Sequence, residues 1–598
     1  MVKFSRDLQG DFLLALELCA RYQDSIPRVR QKQLSSFYTQ PSAAVLLANL
    51  CIDRASDTVA DLACGTGTLL LAALKRKYEL LGESLNPQET RILSQDLVGG
   101  EIDAQAAEFA LLNFANVKNI SKESAPIIHV GNSLADLTSI FPCVDVILMN
   151  PPFTRQERLG EDDFQVIKKL VSELDLGRYY ESQMSLSAIF LLAADSLLDA
   201  GGKMGLVIPA ATFSSRYSTS IMKFLKNRHY TVKYLIEVLG ENSAFSRDCR
   251  YKEYLLVLEK EASTADTARI ITLPAPPAQD TVNIIANAIR NGQNLPQNLL
   301  SYNGIISIQN LYAFPNWEMA FKRLISPDFF GIFENLPLVP FGTQEFAQIR
   351  SGFHGTYVDF LFLPNDTWEV TAADLPTSIS IARRNGGDEN ILQIPGEFIR
   401  KAYRKPEMTQ DLYATPRHFV LSIPPSAKLP ISLRKGYLPE AGKLLRSAML
   451  QKKGRGGKET GEVAADWFSH AYRNGAESSV GSLWAFEKIY PLNRANLSTF
   501  SREPVTAPNM FHLIQGPDQG GLETLHSWLN TTFSFAEYFL HAKSIRRGWL
   551  KGTIGTFKQL RVPDLTLPLF TPRKRNAAIH AIRELADDLR VEPVPITS

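Results

Sequence analysis

The stretch Asp61-Leu62-Ala63-Cys64-Gly65-Thr66-Gly67 follows a short apolar run at 58–62 and opens an apolar helix at 68–74. Glycines at a strand-to-helix turn let the backbone approach a ligand closely, and the helix start adds free N–H groups and a positive dipole end. Further apolar runs at 97–101, 127–130, 144–149 and 203–208 alternate with helical patterns. That alternation puts a mostly parallel sheet between two helical layers. A long apolar helix over 184–198, stopped at Gly201-Gly202, precedes the fifth run. Runs at 232–238 and 253–259, separated by a polar stretch containing Phe245, close the sheet as an antiparallel pair. The expected fold class is α/β, with a doubly wound, Rossmann-like sheet of seven strands complete by about residue 260.

A chain of 598 residues is too long for one ordinary core. We expect an N-terminal helical segment at 1–35, the sheet domain at 36–260, a connector at 261–337 marked by Pro274-Ala275-Pro276-Pro277, and a C-terminal α+β domain at 338–570. A helix and tail at 571–598 end it. The apolar start Phe12-Leu13-Leu14-Ala15-Leu16 is interrupted by Glu17 and lacks a cleavage site, so no secretory signal is expected. No stretch reaches the roughly 18–20 apolar residues that span a bilayer. A soluble, cytoplasmic protein without a membrane partner is the expectation. The five cysteines form no CxxC pair, which argues against a zinc site or a disulfide framework. A net charge of +2 divides into −4 for residues 1–330 and +6 for 331–598, with +9 concentrated in 401–460. That half would suit a phosphate backbone.

Gly99-Gly100-Glu101-Ile102-Asp103 ends the second strand with an acid, where a carboxylate can accept both hydroxyls of a ribose. The fourth run, Val144-Asp145-Val146-Ile147-Leu148-Met149, delivers Asn150-Pro151-Pro152-Phe153 to the carboxyl edge of the sheet, where open α/β folds bind ligands. Two prolines fix the backbone and remove two donors, so this loop presents acceptors. An aromatic amine such as adenine N6 is a poor nucleophile because its lone pair is delocalised into the ring. Hydrogen bonds from its two protons to the Asn150 side-chain oxygen and the Pro151 carbonyl favour a pyramidal nitrogen that can attack a methyl group in line. Phe153 supplies a stacking face for a base taken out of the duplex.

In combination these residues resemble the S-adenosylmethionine-dependent N6-adenine DNA methyltransferases of type I and type IIG restriction-modification systems, in the gamma motif order. Ser36-Phe37-Tyr38-Thr39-Gln40-Pro41 is similar to the family's aromatic-Thr-Pro segment, with Gln40 inserted before the proline. The glycine turn follows, then Glu101, then Gly131-Asn132-Ser133-Leu134 with Asn132 where an Asp is usual, then the Asn-Pro-Pro-Phe loop. The resemblance implies S-adenosyl-L-methionine as cofactor, held by Phe37, Tyr38, Thr39, Asp61, Ala63, Gly65, Gly67, Glu101, Ile102, Asn132, Ser133 and Asn150. It implies catalysis by Asn150, Pro151, Pro152 and Phe153, with Phe245 as a second aromatic on the flipped base. No metal is implied.

More loosely, Ile349-Arg350-Ser351-Gly352-Phe353 and Trp528-Leu529-Asn530-Thr531 with Phe557-Lys558-Gln559-Leu560-Arg561-Val562-Pro563 resemble the opening and close of a target-recognition domain. Arg350, Lys452, Lys453, Arg455, Lys458, Arg546, Arg547 and Lys551 are the candidate contacts to double-stranded DNA. The implied partners are duplex DNA and subunits of a restriction or defence system. Two other readings stay open: methylation of RNA adenine or protein glutamine, which similar loops serve, and a non-catalytic DNA-recognition subunit that keeps the fold.

Overall fold

The computed structural model describes residues 6–25, 38–82, 87–121, 124–154, 156, 159–238, 245–247, 249, 252–261, 267–299, 302–313, 317–325, 338–343, 348–354, 358–384, 391–409, 411–453, 466–490, 496–516, 518–544, 549–564 and 571–588. The chain forms two compact units, Met1–Pro327 with Ile545–Gly548, and Asp328–Ser544 with Trp549–Ser598.

Among the described residues of the first unit nine strands join one sheet. They are β1 (Val59–Asp61), β2 (Leu97–Glu101), β3 (Ile127–Val130), β4 (Val144–Met149), β5 (Leu198–Pro209), β6 (Tyr230–Val238), β7 (Glu253–Lys260), β8 (Thr267–Leu273) and β9 (Tyr302–Ser307). Their order is β3-β2-β1-β4-β5-β7-β6-β8-β9. The first five in that order pair in parallel, and β7 is antiparallel to both its neighbours. Helices α1 (Arg6–Ser25), α2 (Pro41–Cys51), α3 (Thr68–Leu81), α4 (Ala104–Ala115), α5 (Leu186–Ala194) and α6 (Val282–Arg290) belong to this unit. Along β4, Val146 and Leu148 enter one core with α2 and α3, while Ile147 and Met149 enter the other with α5. A strand buried on both faces needs a continuous apolar run, which β4 has.

Two expectations need correction here. The sheet does not end near residue 260, because β8 pairs in parallel with β6 and β9 closes on β8. The segment read as a connector is therefore part of the sheet domain, and α6 fastens it: Arg290 donates to the Asn49 carbonyl at 2.6 Å and to Asp53 at 2.7 Å, and Asn49 donates to Asn283 at 3.0 Å. Farther along, the Trp317 ring stacks on Phe213 at 4.0 Å, wholly buried. The second correction concerns Gly201-Gly202, which lie inside β5 and not at a helix end. Helix α5 stops at Ala194, one 3₁₀ turn follows over Asp195–Leu197, and the Lys260 ammonium takes the Asp195 and Leu198 carbonyls, each at 2.9 Å. A cation on the last carbonyls ends a helix as effectively as glycine does. The extra residues of β5 are absorbed by a register shift opposite Val144 and Val146.

The second unit is α+β. A seven-stranded sheet runs through Gln348–Ser351, Phe511–Gln515, Val480–Phe486, Ser498–Thr506, Ile399–Ala402, His418–Leu421 and Phe362–Leu363, in that order. A three-stranded sheet of Trp368–Asp374, Ser378–Arg383 and Leu392–Pro395 shares a core around Trp368, Ile381 and Tyr437 with the Ile399–Ala402, His418–Leu421 and Phe362–Leu363 strands. The helix Pro572–Asp588 docks through a two-armed pair of Arg583 on Glu523, both contacts 2.7 Å. Among the described residues no helix is long and apolar enough to cross a membrane.

Because Trp317 anchors the segment after β9 in the sheet's core, Trp317→Ala should cost about 3–5 kcal/mol. Urea unfolding followed by circular dichroism checks this. A cost below about 0.5 kcal/mol would mean that the Trp317 ring on Phe213 contributes nothing to the fold.

Candidate active site

The carboxyl ends of β1, β2 and β4 lie side by side, since β1 pairs with both of the others. The glycine turn leaves β1, Glu101 ends β2, and Asn150 follows β4. Three segments distant in sequence therefore meet at one edge, where the helices leave room.

At the turn, Gly65 has φ +55°, and a Cβ there would stand 2.9 Å from the Tyr38 ring. The aromatic-Thr segment thus covers the turn at contact distance, and only glycine permits it. The Gly65 and Asp103 N–H groups donate to the two Glu101 carboxylate oxygens, both at 2.8 Å. Below them Asp61, 1% exposed, accepts the Ala63 N–H at 3.0 Å. Burial pushes the Asp61 carboxyl up to about 8, the nearby Glu101 adding to the rise while the Ala63 N–H opposes it. Burial also raises Glu101 above the usual carboxylate range, against the N–H groups it accepts. The turn is held from behind as well: the Thr66 carbonyl accepts from Cys19 of α1 at 3.2 Å and Asn113 of α4 at 3.1 Å.

On the far side of Glu101, Ile102 is 61% exposed. The Asn132 oxygen accepts the Leu134 N–H at 3.1 Å, closing a turn, and Ser133 is buried against Gly100, where a Cβ would meet its hydroxyl.

Asn150 is held by its amide. Its Nδ2 donates to the Thr39 hydroxyl and to the Ser246 hydroxyl, both at 3.0 Å. Thr39 and Ser246 are themselves joined by an antiparallel bridge, with Gln40 N–H on the Phe245 carbonyl at 2.8 Å and Arg247 N–H on the Tyr38 carbonyl at 2.9 Å. Gln40 takes an extended conformation at the cap of α2 and Pro41 fills the first helical turn, so the inserted glutamine leaves Thr39 beside the loop. Pro151 is buried and Phe153 half-buried. Downstream the loop is fastened by Leu186 N–H on the Thr154 carbonyl at 2.7 Å and by Tyr180 on Gln156, also 2.7 Å.

The structure brings together Tyr38, Thr39, Asp61, Ala63, Gly65, Gly67, Glu101, Ile102, Asn132, Ser133 and the Asn150 loop along the edge formed by β1, β2, β3 and β4. It does not bring the Phe245 ring there. That ring is fully buried in the core with Val238 and Leu255, so no face is open to a base. Its neighbour Ser246 reaches the loop instead, a residue that no local pattern singles out. Phe37 lies outside the described residues, as do Arg455, Lys458, Arg546, Arg547 and the side chains of Lys452 and Lys453. Of the remaining basic candidates, Arg350 is exposed on the seven-stranded sheet and Lys551 pairs with Glu487 at 3.0 Å.

The Asp61 shift has a consequence for stability. A carboxyl whose folded value exceeds its unfolded one stabilises fully below about pH 4, and that contribution fades as pH rises through about 8. Asp61→Asn keeps the acceptor for Ala63 without the charge. Its melting temperature relative to the parent should therefore climb by several degrees between pH 4 and 8 in thermal scans, and a constant difference would refute the assignment.

The N-6 DNA Methylase family model matches residues 25–303. Type II methyltransferase M.BanIII of Aneurinibacillus aneurinilyticus is 26% identical over 236 residues, 36% of this chain and 37% of that protein. An uncharacterized protein, the MG259 homolog of Mycoplasma pneumoniae, is 30% identical over 134 residues, 21% of this chain and 25% of its own length. The chain thus spans well under half the length of the curated relatives it matches. Among solved structures, the type IIL restriction-modification enzyme MmeI in complex with DNA covers 95% of this chain and 74% of its own at 12% identity and a TM-score of 0.53, a likeness of fold. The matched segment, just under half of the chain, contains the glycine turn, Glu101 and the Asn-Pro-Pro-Phe loop, and it is this part of the chain that is similar to the N-6 DNA methylases.

Proposed function

We propose that this chain transfers the methyl group of S-adenosylmethionine to N6 of an adenine flipped out of double-stranded DNA, as the modification enzyme of a restriction-modification or phage-defence system. The strongest support is the orientation of the Asn150 amide. Its nitrogen donates to Thr39 and Ser246, both at 3.0 Å, which fixes the plane of the amide at the carboxyl end of β4 where a substrate amine would meet it.

The residues at the glycine turn fit the cofactor. Glu101 offers a carboxylate to two ribose hydroxyls, the exposed Ile102 an apolar surface to a flat ring, and the start of α3 its N–H groups to a carboxylate. When bound, S-adenosylmethionine supplies an electrophilic methyl carbon on a positively charged sulfur. The protein's part is to prepare the nucleophile. Asn150 Oδ1 and the Pro151 carbonyl accept the two N6 hydrogens and draw the lone pair out of the ring, and Phe153 stacks on the base for about 1–3 kcal/mol. A neutral amide accepts the amine hydrogen without pairing with the sulfonium as a carboxylate would. The second unit reads the DNA, with Arg350 and the basic segment around 452–458 neutralising phosphates, and Arg546 and Arg547 are further candidates for phosphate contacts. The name of M.BanIII and the DNA-bound state of MmeI support this reading.

Labelled cofactor offered to duplex DNA, RNA and protein in parallel should mark DNA alone, at adenine. Transfer only to RNA or protein would overturn the proposal. Asn150→Ala should lower transfer by ~10²-fold or more, the scale of losing one preorganised hydrogen bond to a reacting group. Its duplex affinity should change little, and affinity should fall linearly with salt on logarithmic axes. Unchanged biological activity of the Asn150→Ala variant despite lost methyl transfer would favour a purely DNA-recognising role.

A further inference from the structure

The 245–247 segment meets the Asn150 loop through Ser246. Ser246 is 2% exposed, and its hydroxyl accepts from the Asn150 amide at 3.0 Å. Asparagine after a strand has several χ1 wells and a broad, nearly two-fold χ2, so one hydrogen bond leaves the amide free to turn about it. A second acceptor, on a different chain segment, removes that freedom. Thr39 lies just before α2 and Ser246 just before β7, and the bridge between them holds the two hydroxyls at a fixed spacing.

The Ser246 backbone is held in turn. Glu253, wholly buried at the start of β7, accepts the Phe245 N–H at 2.7 Å and the Ser246 N–H at 2.9 Å through one carboxylate oxygen. Since Glu253 pairs in register with Pro209 of β5, this clamp is built on the sheet itself. We propose that Ser246, fixed by Glu253, is a positioning residue that sets the Asn150 amide for the reaction proposed above, on which this inference rests. Ser246 touches neither cofactor nor base. It acts on catalysis through Asn150 alone.

Ser246→Ala removes the hydroxyl, which accepts from Asn150 and also bonds Glu253, and leaves the backbone bridge and the backbone contacts to Glu253 possible. In steady-state transfer from labelled S-adenosylmethionine to duplex DNA, kcat should fall about tenfold, the scale of one neutral hydrogen bond. KM for the cofactor and affinity for the duplex should stay within about twofold. Ser246→Cys, nearly isosteric but a weaker acceptor, should fall in between and serves if the alanine variant melts early. An unchanged kcat in a parent that methylates DNA overturns this inference alone, and so does a loss confined to KM. A parent that transfers no methyl group to DNA overturns the proposed reaction and this inference with it.

Discussion

A parallel strand covered on both faces can offer chemistry only at its ends. In β4 the residues Val146, Ile147, Leu148 and Met149 are all buried, two to each side, so the first residue with freedom to act is Asn150. The same holds for β1, which passes from Val59 and Ala60 directly into the glycine turn. Burial of the sheet thus concentrates the turn, the acid and the amide on one edge, and everything outside the sheet adjusts their spacing. Helices α1 and α4 hold Thr66, and the 38–40 and 245–247 segments hold Asn150.

The parts legible from sequence are those written in local pattern. Seven apolar runs marked seven strands near their true places, and Gly65, Glu101 and Asn150 stood out because turn, acid and double proline each have a local signature. What escaped depends on distant partners. Strand β9 carries Gly304 and has mostly half-buried residues, so its strand pattern is faint until β8 lies beside it. Gly201-Gly202 looked like a helix stop because the capping cation, Lys260, comes more than sixty residues later. Phe245 is aromatic in either role, and only packing decides between a core ring and a stacking surface.

The second unit repeats that lesson for charge. Composition shows that positive residues gather in its sequence, yet Lys551 is paired with Glu487, Lys401 with Glu503 and Arg400 with Glu477, across gaps of many residues. Pairing at exposed sites contributes little to stability, on the order of 1 kcal/mol or less, but it removes a cation from the set that could meet a phosphate without rearrangement. A count of lysines and arginines along a sequence therefore overstates the free cations a folded domain presents.

The strand order β5-β7-β6-β8 also bears on how the chain is made. As the protein leaves the ribosome, β6 emerges after β5 but cannot lie against it, because that place belongs to a strand not yet synthesised. Strand β7, synthesised last of the three, pairs antiparallel with both, and until it does the edges that face it are open. An interval of this kind invites wrong pairings and favours chaperone capture. The segment that fills the gap begins at Glu253, so the residue that clamps Ser246 is in place only once that interval has closed.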